Sequence, residues 1–235
     1  MTSAPTQPPI RHRGSASDRR QILVDAALDL LDDVGPAQVT TRKLAAAAGV
    51  TTMAVYTEFG SIGGVAQAVV EAGFAQLGDT YGAIARTDDP VADLLVLGAC
   101  HRQFALSRAG LYGVMFGSAA LGGHRRTGEE LVLGIDTFEI GVSFVERAMN
   151  AGRLRAPNAF TTTAQLWSAM HGALALETSG MLGVVAGDAL NDVLIPLFTS
   201  LFAGLGDAPD LINESVQIAL QRLTDSSSPS PPGER

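Results

Sequence analysis

Apolar residues recur along this chain every three or four positions, and no stretch alternates long enough to make a strand. The clearest stripe is Leu23, Ala26, Ala27, Leu30, Leu31 and Val34, with Asp25, Asp29 and Asp32 on the opposite face. It predicts a helix over 17–34, stopped by Gly35-Pro36. A short helix over 41–48 follows Thr40, and another runs from an N-cap at Thr51 to Phe59. A longer one over 62–85 carries Val65, Val69, Ala72, Phe74 and Leu77. Pro90 after Asp89 opens the next, which ends near Gly110. A short helix over 111–116 and a Gly-rich link over 117–123 come before a long helix. That one is predicted to start at the capping box Thr127-Gly-Glu-Glu130 and to reach Asn150. Two strongly apolar helices over 160–182 and 188–205, then an amphipathic one over 209–223, complete ten helices and an all-α fold.

Composition changes this picture mainly at the ends. Pro/Ser-rich residues 1–16 and 225–235 predict a disordered arm and tail, because such sequence cannot offset chain entropy. No signal-peptide core is present, the uncharged stretch 156–176 is too polar to span a membrane, and Cys100 is the only cysteine. The expectation is a soluble cytoplasmic protein with no disulfide and no membrane partner. Net charge is −8, but it is unevenly spread. Residues 1–60 balance six basic groups, among them the one lysine, Lys43, against six acidic ones. The acidic excess lies beyond, so a local phosphate contact near the N-terminus remains open.

The motif that carries chemistry lies between Val39 and Phe59. A helix-turn-helix needs a small residue where its helices cross, a glycine at the turn and a buried apolar residue in the second helix. Ala45, Gly49 and Val55 have that spacing. The second helix would then enter the major groove with its first residues against base edges. An ordinary Ala-rich helical hairpin is the plain alternative. This segment, with the helix before it and Tyr56-x-x-Phe59 within it, resembles the DNA-binding domain of the TetR family over about residues 18–70. The matching residues include Thr40-Thr41-Arg42-Lys43-Leu44-Ala45 and Ala48-Gly49-Val50. Leu111-Tyr-x-x-Met-Phe-Gly117 and Trp167-x-x-x-His171-Gly172 are similar to the regulatory domain of one TetR subgroup.

The resemblance implies a helix-turn-helix head over 17–61 and an effector-binding and dimerisation domain over 62–224. It further implies a homodimeric repressor, released from double-stranded operator DNA when a small molecule shifts the fourth helix. Operator contacts would come from Thr41, Arg42, Lys43, Thr51, Thr52, Met53, Tyr56 and Thr57. Arg42 meets either guanine O6 and N7 or a phosphate; Met53 suits a thymine methyl. Tyr56 matches the family's phosphate-binding tyrosine, with packing as its alternative role. Arg11, Arg13, Arg19 and Arg20 form either a salt-dependent arm or a merely solvated run. Two departures stand out: Glu58 would repel the DNA backbone, and Ile62 stands where a lysine is usual.

For the body, the candidate ligand-lining residues are His101, Phe104, Tyr112, Met115, Phe116, Trp167 and His171, each of which could equally be core. Charge is sparse there: Arg102 and Arg108 over 94–123, and Glu177 alone over 156–187. The expected effector is therefore apolar, and neutral or singly charged. No P-loop, dinucleotide fingerprint, nucleophile elbow or zinc motif occurs, and the four histidines are scattered. An enzyme, a metal site and a cofactor are thus not expected. A helical adaptor whose head no longer binds DNA is the rival reading.

Overall fold

The structure is a computed structural model that describes residues 16–227, all of them helical or in connections without a strand. Three short helices build the head: α1 (Ala16–Val34), α2 (Thr41–Ala47) and α3 (Thr52–Phe59). Thr40 caps α2 by accepting from Lys43 N, and Thr51 caps α3 by accepting from Ala54 N at 3.3 Å. Between them Gly49 turns the chain at φ 65, a conformation costly for any residue with a Cβ. Ala45 and Val55 are buried where the two helices cross, and Leu23, Leu31, Val39 and Leu44 close the head's core.

From the head, α4 (Ile62–Gly82) runs into the body, capped by Ser61. Its early residues Val65, Ala66 and Val69 belong to the head's packing, and its later turns face the body. The body adds α5 (Pro90–Ser107), α6 (Ala109–Met115), α7 (Ile135–Asn150), α8 (Ala159–Thr178), α9 (Met181–Val185), α10 (Ile195–Gly204) and α11 (Pro209–Ser227). A second core at the far end gathers Val91, Phe144, Val145, Leu154, Phe202 and Ile212. Fully burying a side chain of this size contributes about 1.5–3 kcal/mol.

An ion network locks that far end. Asp93 is fully buried, and its carboxylate takes Arg147 at 2.5 Å, Arg222 at 2.6 Å, and the Thr87 amide and hydroxyl, both at 2.9 Å. Beside it Arg153 grips Asp207 through two nitrogens, at 2.7 and 2.8 Å, and reaches Asp89. The two clusters tie α5, α7 and α11 together through groups with no freedom to reorient.

Three predicted helices are corrected. The long helix from Thr127 does not form. The Thr127 amide does donate to Glu130 Oε2 at 2.6 Å, but only a 3₁₀ turn follows (Glu129–Val132). Arg126 donates to the carbonyls of Glu130 and Leu133, which a helix would need for its own amides. Gly134, at φ 98 against the Phe74 ring, then redirects the chain into α7. The helix expected over 160–182 ends at Thr178, and α9 is separate. The one expected over 188–205 opens as a π turn (Ala189–Leu194), because Pro196 lacks the amide that a regular helix would use there. At the chain's end α11 continues to Ser227, into the segment expected to be tail. The disordered arm over 1–16, Arg11 and Arg13 included, and the tail beyond Ser227 lie essentially outside the described residues. No described helix is long and apolar enough to cross a membrane.

Candidate nucleic-acid interface and ligand cavity

Burying Val55 and Leu44 turns the opposite side of the helix-turn-helix outward. Arg42, Lys43, Thr51, Thr52, Met53, Tyr56 and Thr57 are all exposed, and Thr41 is half-buried. Met53 is 71% exposed and Tyr56 49%. Both leave much of a large side chain in water on a short helix, available to an outside partner. Lys43 Nζ reaches only Gln38 Oε1, at 3.4 Å. Thr51 and Ser61 use their oxygens as cap acceptors and keep their hydroxyl protons for an outside group. Thr57 differs, because its hydroxyl donates to Met53 O at 2.9 Å.

The two departures take on structural roles. Glu58 turns inward to Arg19 Nη1 at 3.3 Å, leaving its side chain 13% exposed. Arg20 stacks over the Phe59 ring at 4.8 Å. Arg19 and Arg20 are therefore the first turns of α1, pinned to α3, and not an arm. Ile62 lies directly against Gly122, whose amide donates to Pro36 O at 3.0 Å. His124, two residues on, sits over Gly63 and bonds Glu130 at 3.1 Å. The 117–134 segment thus straps the body to the start of α4.

A cavity of about 1240 Å³ lies between α4, α5, α7, α8, α10 and α11. It is at or above the upper end of drug-sized pockets, about 300–1,000 Å³. On one wall α4 presents Phe74, Leu77 and Tyr81, three positions of a single helical face. His101, Phe104, Phe116 and Trp167 also line it. Leu131, Ile135, Phe160 and Trp167 are lining residues that remain exposed, and they mark the mouth. Met115 is not on the wall; it is fully buried against Gly73 of α4. Tyr112 and His171 stand one layer behind.

Those two complete a hydrogen-bonded chain that begins at the wall. Tyr81 Oη meets His101 Nδ1, His101 Nε2 meets Tyr112 Oη at 2.8 Å, and Tyr112 Oη meets His171 Nδ1 at 2.9 Å. Burial, reinforced by His171, pushes the His101 pKa down to about 3, and burial pushes His171 to about 4. Burial raises both tyrosines far above their ordinary range. All four groups are neutral at pH 7. Of the two charged wall residues, Arg102 is paired, whereas Arg126 keeps a buried Nε without a hydrogen-bond partner. Arg102 makes a two-nitrogen pair with Glu177, and Arg126 is held by the carbonyls of Met115, Glu130 and Leu133. Glu177, the one charge over 156–187, is consumed by that pair.

The neutral histidines have a consequence for acid stability. Their folded pKa values lie below the unfolded value of about 6.5, so the unfolded chain binds more protons and stability falls as pH falls. From about pH 6.5 to 4.5, His101 should remove on the order of 2–3 kcal/mol, and the less buried His171 less. Urea melts across that window check this. A His101→Gln chain as acid-sensitive as wild type would contradict it.

Residues 23–69 match the family model for bacterial regulatory proteins of the tetR family, and residues 94–198 match that for a tetracyclin repressor-like C-terminal domain. The chain belongs to the TetR family. Its head is that family's DNA-binding helix-turn-helix, and the second match takes in α7, α8 and most of α5, but not α4 with its wall residues Phe74, Leu77 and Tyr81. No curated protein matches at the sequence level. Among solved structures, a protein of unknown function from Rhodococcus sp. RHA1 is 23% identical at a TM-score of 0.68, over 85% of this chain and 100% of that one. RolR in complex with resorcinol is 17% identical at 0.62, over 92% and 97%. The SmeT–triclosan complex is 23% identical at 0.54, over 79% and 91%. At these identities the likeness is one of fold.

Sequence reasoning missed Tyr81, although Phe74, Leu77 and Tyr81 recur at i, i+3 and i+7. That spacing reads as ordinary core, and only the hollow beside it distinguishes the two.

Proposed function

We propose that this TetR-family protein is a homodimeric, cytoplasmic transcriptional repressor that leaves a palindromic operator when a small hydrophobic molecule enters its cavity. The observation that carries the reading is the shared helix α4. It starts beside the reading helix at Ser61 and ends on the cavity wall at Tyr81. A ligand that moves one end moves the other, and two heads that must fit successive major grooves tolerate little respacing. The cavity's free surface is largely apolar and Arg102 is paired with Glu177, which supports a neutral occupant. RolR bound to resorcinol and SmeT bound to triclosan support the same reading by fold. Membership of the subgroup marked by Trp167-x-x-x-His171-Gly172 belongs to this proposal, as does a boundary between head and body at 61–62.

On the operator, Arg42, Thr52 and Met53 read bases, while Thr41, Lys43, Thr51, Tyr56 and Thr57 hold the backbone. Thr57 does so after rotating its hydroxyl away from Met53 O. A gel shift with DNA from upstream of the gene tests this. Arg42→Ala should lose about 1–3 kcal/mol and relax preference at one base pair in each half-site. Tyr56→Phe should weaken all sequences alike. An Arg42→Ala base-preference profile identical to wild type would leave that residue only a phosphate. Wild-type protein that shifts no DNA would support the adaptor reading, from which the Arg19–Glu58 pair already removes one argument.

A further inference from the structure

The chain from Tyr81 to His171 has a property that a solidly packed core would not need. Each neutral imidazole carries one N–H and one bare nitrogen, and each tyrosine one proton. Protons can therefore be ordered in two ways. In the first, His171 donates to Tyr112, Tyr112 to His101 Nε2 and His101 Nδ1 to Tyr81, so the Tyr81 proton is free. In the second every bond is reversed, and Tyr81 offers lone pairs alone. At the cavity wall the Tyr81 oxygen is a donor or an acceptor, whichever an arriving group requires. Four other polar groups on the wall are already engaged. The Thr80, Thr137 and Thr163 hydroxyls donate to the carbonyls of Gln76, Phe74 and Ala159, and Arg102 is held by Glu177.

We infer that Tyr81 is the polar docking point of the cavity and that its ligand is an apolar molecule bearing a neutral hydroxyl, a phenol or an alcohol. The inference rests on the proposed role of the cavity as an effector site, and names the chemistry of that effector. A hydroxyl gives and accepts a hydrogen bond, so it satisfies both proton orders. A carbonyl satisfies one. A carboxylate satisfies one and must give up its water to enter a largely apolar cavity, while the histidines resist the protonation that would supply a counter-charge.

Trp167, the only tryptophan in the chain, lines the cavity and reports occupancy by its fluorescence. The probes are para-hexylphenol, hexylbenzene and para-hexylbenzoate, titrated against full-length wild type and Tyr81→Phe. In wild type the phenol should bind about three- to tenfold more tightly than hexylbenzene, the range for one net hydrogen bond. The benzoate should bind most weakly. In Tyr81→Phe the phenol's advantage over hexylbenzene should collapse. A preference that survives the substitution, or a benzoate that binds best, overturns the inference while leaving the cavity as a binding site. No response to any probe removes the cavity reading and this inference together. A second measurement needs no variant: para-nitrophenol bound to wild type near its own pKa should lose its yellow phenolate band. Retention or growth of that band shows that the site takes an anion and overturns the inference.

Discussion

Asp93→Ala should unfold this protein more readily than any surface substitution, by about 3–5 kcal/mol, the cost of removing one partner from a buried ion pair. The carboxylate is fully buried and takes two guanidinium groups and two donors from Thr87. Removing it leaves Arg147 and Arg222 facing each other and the Thr87 amide without its acceptor. Asp93→Asn keeps the volume but loses the charge, and should fall between Ala and wild type. Although burial alone would raise the Asp93 pKa, the hydrogen bonds from Arg147, Thr87 and Arg222 outweigh it and the net direction is down. A depressed folded pKa means that this stabilisation is present above the unfolded value, about 3.9, and disappears as pH falls through the folded one. Its loss begins near the unfolded value, whereas the histidine loss begins near pH 6.5, so melts above about pH 5 report the histidines alone. Urea denaturation of wild type and both variants at neutral pH is the check. A loss under about 1 kcal/mol for Asp93→Ala would show that the network contributes no more than an exposed pair does.

Leu197→Asp should abolish operator binding without touching the head. Leu197 lies half-buried on α10 and belongs to neither core cluster, so its free side faces outward. We propose that the homodimer pairs through the strongly apolar segment 160–205, where that side would meet the partner. An aspartate there buries an unpaired charge. Losing the dimer converts two linked contacts into single ones, and avidity of this kind is worth about 10²–10⁴ in affinity. Sedimentation should show a folded monomer, and a gel shift should show the loss of binding. Leu201, one turn further along α10, packs into the far-end core instead, so an aspartate there would also damage the fold. Wild type sedimenting as a folded monomer at micromolar concentration would end the dimer proposal.

The head was legible because its rules are local. Caps at Thr40 and Thr51, the glycine at the turn, and the Ala45–Gly49–Val55 spacing are all set within a few residues, and the structure has each as read. The body yielded less, since its breaks are made by distant partners. Nothing near Thr127 says that Arg126 will take the carbonyls its helix needs, or that Phe74 will press on Gly134. Glu58 looked hostile to DNA because its partner, Arg19, is far away in sequence. Among the ligand candidates, His101, Phe104, Phe116 and Trp167 reach the cavity, Tyr112 and His171 support it from behind, and Met115 fills core. A helical period reports which face is apolar, not whether the space beside that face is filled.

Lys43 has a practical bearing on how this protein is handled. Every other basic side chain in the sequence is arginine or histidine, so Lys43 carries the one side-chain amine, and it is exposed on α2 beside the reading helix. Reagents that couple through side-chain amines, whether a biotin ester, a dye or an activated sensor surface, will react on the face meant for DNA. A preparation tethered in this way would look inactive towards an operator and yet still take up ligand. Cys100, in the cavity wall, is no better as a handle.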